Sequence, residues 1–148
     1  GGAGQPTPDR PCLMSEAEVL FLSKMMLDEI MELFATVLPP AGAKGALKAF
    51  VDESKDIPQV EGDEAALISE QADALIDVYY YSLNAACKKG VNLSSIFSIV
   101  HQANMNKRDP ATGQFLKRAD GKIIKPEGWT PPDVKAEVER QLREGAWG

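Results

Sequence analysis

The sequence predicts an all-α fold: an antiparallel four-helix bundle carrying a small C-terminal β-hairpin and a final helix. Three observations predict it. Apolar residues recur at helical spacing in four segments joined by short links rich in Gly and Pro. A capping box opens the first of these segments. Further on, Asp120-Gly121 sits between two short apolar-flanked runs, the pattern of a tight hairpin.

Ser15-Glu16-Ala17-Glu18 is the capping box, with Ser15 as N-cap and Glu18 reaching back. The helix it starts carries Val19, Leu20, Leu22, Met25, Met26, Ile30 and Leu33 and ends before Pro39-Pro40. A second helix begins after Gly42 or Gly45, carries Leu47, Phe50 and Val51, and ends at Pro58. The third is long, from about Asp63 to Lys89, with Gly90 as its C′ residue. It is apolar nearly all round, from Ala65-Ala66-Leu67-Ile68 to Val78-Tyr79-Tyr80-Tyr81, so it is expected to be largely buried. The fourth runs from about Leu93 to Met105. Short links between four helices favour an antiparallel bundle, which a second subunit can complete. Residues 115–125 form the hairpin, which is marginal alone and has to pack on something larger. The loop from Pro126 to Asp133 holds a buriable Trp129 and leads into a polar helix from about Pro132 to Arg143. The organisation read from this is a flexible tail at 1–14, a helical domain at 15–108 and an extension at 109–148.

Composition narrows the function. The 148 residues suffice for one domain with a real core, and no apolar run is long enough to cross a bilayer. A net charge of −6 argues against nucleic-acid binding by a basic surface. Cys12 and Cys87 lack metal-ligand spacing and read as free thiols in a reducing compartment, hence a cytoplasmic protein. His101, the single histidine, reads as a helix-surface or interface residue.

Two clusters of acids on consecutive helices carry the chemistry. The first is Asp52, Glu53 and Asp56; the second is Glu70, Asp73 and Asp77. Spacings of three and four put each set on one helix face. The first run alone is also what a solvated helix face looks like. The second lies among Ala72, Ala74, Leu75, Ile76 and Val78, on a helix with no Lys or Arg before Lys88. Carboxylates there repel one another and lose hydration unless something positive neutralises them. Two such faces make an all-oxygen site for a hard divalent cation, Mg²⁺ first and Mn²⁺ second. Asn104 and Lys107 close the fourth helix; both suit phosphate oxygens, although a cation there also complements the helix dipole. One of Tyr79, Tyr80 and Tyr81 can stack on a base while another packs; Phe21 and Trp129 read as packing residues, Lys44 and Lys48 as solvated lysines.

The order Asp52-Glu53-x-x-Asp56, then Glu70-x-x-Asp73, then Asn104-Met105-Asn106-Lys107 resembles the MazG-like, all-α nucleoside triphosphate pyrophosphohydrolase superfamily. That group also holds dimeric dUTPases, dCTP pyrophosphatases and phosphoribosyl-ATP pyrophosphohydrolase. Asp stands at 52 and 56 where the family pattern has Glu, shortening each arm by one methylene. The likeness covers about Lys44 to Lys107 well, and the Lys-Pro-Glu-Gly-Trp string resembles extensions of some members. It implies cleavage of a (d)NTP to its monophosphate and pyrophosphate in nucleotide-pool house-cleaning. Glu53, Asp56, Glu70 and Asp73 would bind Mg²⁺, with Asp52 and Asp77 as further candidates. Glu53 or Asp52 would orient or deprotonate water, Lys107 and Asn104 would bind phosphoryl oxygens, and Tyr80 would contact the nucleotide. A homodimer or homotetramer is implied, with neither nucleic acid nor membrane as partner. Phosphoribosyl-ATP as substrate is the second reading, which the hairpin and Trp loop fit less well. A relative that binds nucleotide or metal without turnover is the third, motivated by the Asp-for-Glu changes.

Overall fold

The computed structural model describes residues 8–37, 49, 51–53 and 61–147. Its described elements are helical: α1 (Glu16–Ala35), α2 (Glu64–Lys88), α3 (Leu93–Met105) and α4 (Val134–Glu144), with a further helical stretch at 51–53. The chain divides into two compact units, one from Arg10 to Ala74 and the other containing Leu75 to Gly148. The expected start and end of the second helix, with Lys44, Lys48, Phe50 and Pro58, lie outside the described residues.

In the first unit, α1 begins as its sequence dictates. The Glu18 amide donates to Ser15 Oγ at 3.2 Å, and the Ser15 amide donates to the Glu18 carboxylate at 2.7 Å. Thr36 caps the other end, its hydroxyl donating to Leu33 O at 2.7 Å. Met31 and Val51 are this unit's buried apolar residues among those described. The first turn of α2 is capped by Asp63, whose carboxylate accepts from the Ala66 amide at 3.1 Å.

In the second unit, Gly90 ends α2 at φ +69°, a left-handed conformation that a Cβ would strain, while Val91 N bonds back to Ala86 O at 3.0 Å. Asn92 caps α3. α3 and α4 pack together through Gln141, a buried amide. Its Oε1 accepts from the Asn92 amide, and its Nε2 donates to Asn92 O and Ser95 Oγ, each at 3.0 Å. Glu137 joins this network, accepting from Arg140 at 2.8 and 2.9 Å and from Gln141 at 3.1 Å. The Arg140 guanidinium, then Ser95 and Gln141, lower the Glu137 carboxyl to about 2. A carboxyl lowered by folding stabilises the fold above its ordinary range, and that contribution is lost as pH falls from about 4.5 toward 2. Thermal melts should therefore drop across that window, and Glu137→Gln should flatten the drop.

Two sequence expectations change. Residues 115–125 contain no strand: the antiparallel bridges Lys117–Ile123 and Arg108–Phe115 stand alone. Gly121, at φ +89°, makes the turn, but Arg118 and Asp120 bond locally to each other, and Pro126 lacks the amide that a longer ladder needs. The second change is larger. No described residue of α2 is buried within the single chain. Its apolar character marks a face that the described residues leave to solvent, with Ile76, Tyr79 and Tyr80 exposed by 53%, 58% and 69%.

Candidate metal and phosphate site

In the unit from Arg10 to Ala74, the helical turn at 51–53 presents Asp52 and Glu53, both exposed. Asp52 is held in an ion pair with Lys24 of α1, a partner that the sequence reading missed. Glu53 is free of that pair. On α2, Glu70 and Asp73 are exposed one turn apart. Glu70 lies on the wall of a cleft of about 610 Å³, otherwise largely apolar, lined also by Leu13, Met14, Leu20, Leu67 and Ala74. A mostly apolar cleft of this size with a few polar groups is the usual form of a small-molecule site. Beside Glu70, Gln71 ties down the cleft's edge: its Oε1 accepts from the Met14 amide at 3.0 Å and its Nε2 donates to Met14 O at 3.3 Å. Gln71 had no motif to mark it, because only its long-range pairing gives it a role.

In the unit from Leu75 onward, Asp77 and Tyr80 are exposed on α2. Asn104 is exposed in the last turn of α3. Lys107, half-buried just past the helix end, lies with its ammonium 5.1 Å from the Trp129 ring centroid. Trp129 is fixed in turn, its indole N–H donating to Ala103 O at 2.7 Å. Lys125 approaches the same ring at 5.0 Å, a second cation absent from the expected site. His101 is exposed and stacks on Phe97, and Cys12 and Cys87 are exposed free thiols.

The carboxylates fit a hard divalent cation by donor type. Glu53, Glu70, Asp73 and Asp77 offer oxygen alone, and none is engaged by a cation or a hydrogen-bond donor among the described residues. Among those residues no three acidic, His or Cys side chains converge on one point. Asp56, the third acid of the first cluster, lies outside them.

A family model for phosphoribosyl-ATP pyrophosphohydrolase matches residues 4–104. Among solved structures the chain resembles a candidate NTP pyrophosphohydrolase from Exiguobacterium sp. 255-15. The two share 28% identity and a TM-score of 0.73, over 95% of this chain and 89% of that one. No curated protein matches the chain significantly. The expected MazG-like all-α likeness stands on both findings.

Proposed function

Because the chain belongs to the phosphoribosyl-ATP pyrophosphohydrolase family, we propose that it is a Mg²⁺-dependent enzyme cleaving a (d)NTP to its monophosphate and pyrophosphate. The observation that carries this reading is the set of exposed carboxylates on α2, unpaired among the described residues, with Glu70 on the wall of an apolar cleft. Glu53, Glu70, Asp73 and Asp77, with Asp56, would hold the metal. When bound, the ion would shield the phosphate charges and make a coordinated water more acidic.

Glu53 is the better candidate than Asp52 to orient the attacking water and accept its proton, since Lys24 already occupies the Asp52 carboxylate. Water oxygen bonds to phosphorus as the anhydride P–O bond breaks, and pyrophosphate leaves with the electron pair. Lys107 and Asn104 stabilise negative charge on the phosphoryl oxygens. The cleft beside Glu70 takes the nucleoside, and Tyr80 is the aromatic candidate for contact with the nucleotide. The bundle is completed by a second copy of the chain across the exposed face of α2.

Phosphoribosyl-ATP is the second substrate reading, favoured by the family match itself. One assay tests both. The purified protein is incubated with canonical and modified (d)NTPs and with phosphoribosyl-ATP, in Mg²⁺ or in chelator. Pyrophosphate and a monophosphate product are expected from a (d)NTP in Mg²⁺ alone. Turnover confined to phosphoribosyl-ATP would select the second reading, and no turnover of any compound would overturn both.

A further inference from the structure

The cations that follow α3 are arranged in a way the acidic site does not explain. Between Asn104 and Lys125 the sequence holds six Lys and Arg against two Asp, within a chain of net charge −6. Two of these cations, Lys107 and Lys125, meet at one ring. Lys107 and Lys125 both lie about 5 Å from the Trp129 centroid, so their like charges fall within roughly one Debye length of each other. Burial first, then Lys125 and Lys122, hold the Lys107 ammonium below the usual lysine range. None of the three meets a carboxylate among the described residues. The acid nearest Lys122 in sequence, Asp120, is taken by Arg118 at 2.5 and 3.2 Å and by the Lys122 amide at 3.0 Å.

The backbone under this cluster is pinned. Trp129 is tied to Ala103 O, and the Ile124 amide donates to Leu116 O at 2.7 Å between Lys122 and Lys125. Packing on the indole would need one lysine. Two unneutralised ammonium groups on one ring, with the charge of Lys122 close enough to act on Lys107, are instead a preorganised place for a polyanion, because the cost of gathering them is met in the fold and relieved on binding.

We propose that Lys122 and Lys125 join Lys107 to form a seat for a pyrophosphoryl group, with Trp129 as its floor. In the enzyme this seat holds the phosphate chain of the substrate, an assignment that rests on the pyrophosphohydrolase reading. Lys122 and Lys125 are thus phosphate-binding residues contributed by the C-terminal extension, which gives that extension a role in the reaction.

The test uses inorganic pyrophosphate and orthophosphate as probes, titrated into the full chain in chelator and followed by calorimetry. Pyrophosphate should bind more tightly than orthophosphate. The Lys122→Gln/Lys125→Gln double variant should weaken pyrophosphate binding at least tenfold, Lys125→Arg should retain it, and Lys135→Gln on α4 should leave it unchanged. In turnover assays the double variant should raise KM by a similar factor and change kcat less, with helix content and Trp fluorescence preserved. Equal affinity in the double variant, an equal loss in Lys135→Gln, or no binding of pyrophosphate by the parent chain would overturn the seat. Loss of pyrophosphate binding in the double variant of a protein that hydrolyses no nucleotide would uphold the seat and remove the hydrolase reading. Normal turnover with unchanged KM in the double variant would remove the seat alone.

Discussion

Glu70→Gln and Asp73→Asn should each reduce pyrophosphate release by about 10²–10³-fold or more, the order lost with one strong contact to developing charge. The fold should survive. Both side chains are exposed on α2 and bonded to no other described group, so neither substitution opens a cavity or strands a partner. Removing one of two like charges a turn apart should leave the metal-free protein as stable or slightly more so, by a few tenths of a kcal/mol. Thermal melts with and without Mg²⁺ separate these effects. The parent chain should gain stability from the ion and the variants should not. Full activity in both variants would place the metal elsewhere.

Ile76→Glu should break the oligomer. Ile76, Tyr79 and Leu83 follow one another at spacings of three and four along α2, forming one apolar stripe that the described residues leave uncovered. The described residues bury little else: Met31, Val51 and Ala103 are their buried hydrophobics, and none has a side chain less than 2% exposed. Such a surface fits a second copy better than it fits water. A glutamate forced into that interface without a counter-charge costs about 3–5 kcal/mol, an association weaker by a factor from about 10² to about 4 × 10³. Light scattering coupled to size exclusion should show a dimer or tetramer for the parent chain and a monomer at the same concentration for Ile76→Glu. A monomeric parent chain would refute the proposed assembly.

Local signals in the sequence were read well because they act within a few residues. Ser15 and Glu18 cap α1 reciprocally, Gly90 closes α2 in a left-handed conformation, and α3 runs between the residues its periodicity marks. The final helix starts at Val134 because Asp133 caps it, its carboxylate accepting from the Ala136 amide at 3.0 Å. Other features depend on distant partners. Apolar periodicity on α2 says that a face is to be covered but not by which chain. The hairpin signal at Asp120-Gly121 fixes a turn, while strand length depends on neighbours the short arms lack. The pairing of Asp52 with Lys24 joins two elements, and no spacing along the sequence marks it. Acid spacing was legible because it lies along single helices; the convergence of Lys107, Lys125 and Trp129 spans loops and was not.

The pairing of Gln71 with Met14 gives the cleft a built-in reporter. Met14 precedes α1, so its amide has no helical acceptor and would exchange its hydrogen quickly with solvent. Here that amide is bonded to the side chain next to Glu70. Its exchange rate is therefore set by how often the cleft's edge lifts from α2, a local opening distinct from global unfolding. Ligands that close the cleft should slow that one amide well beyond its neighbours in the chain, so binding could be followed without labelling any functional side chain.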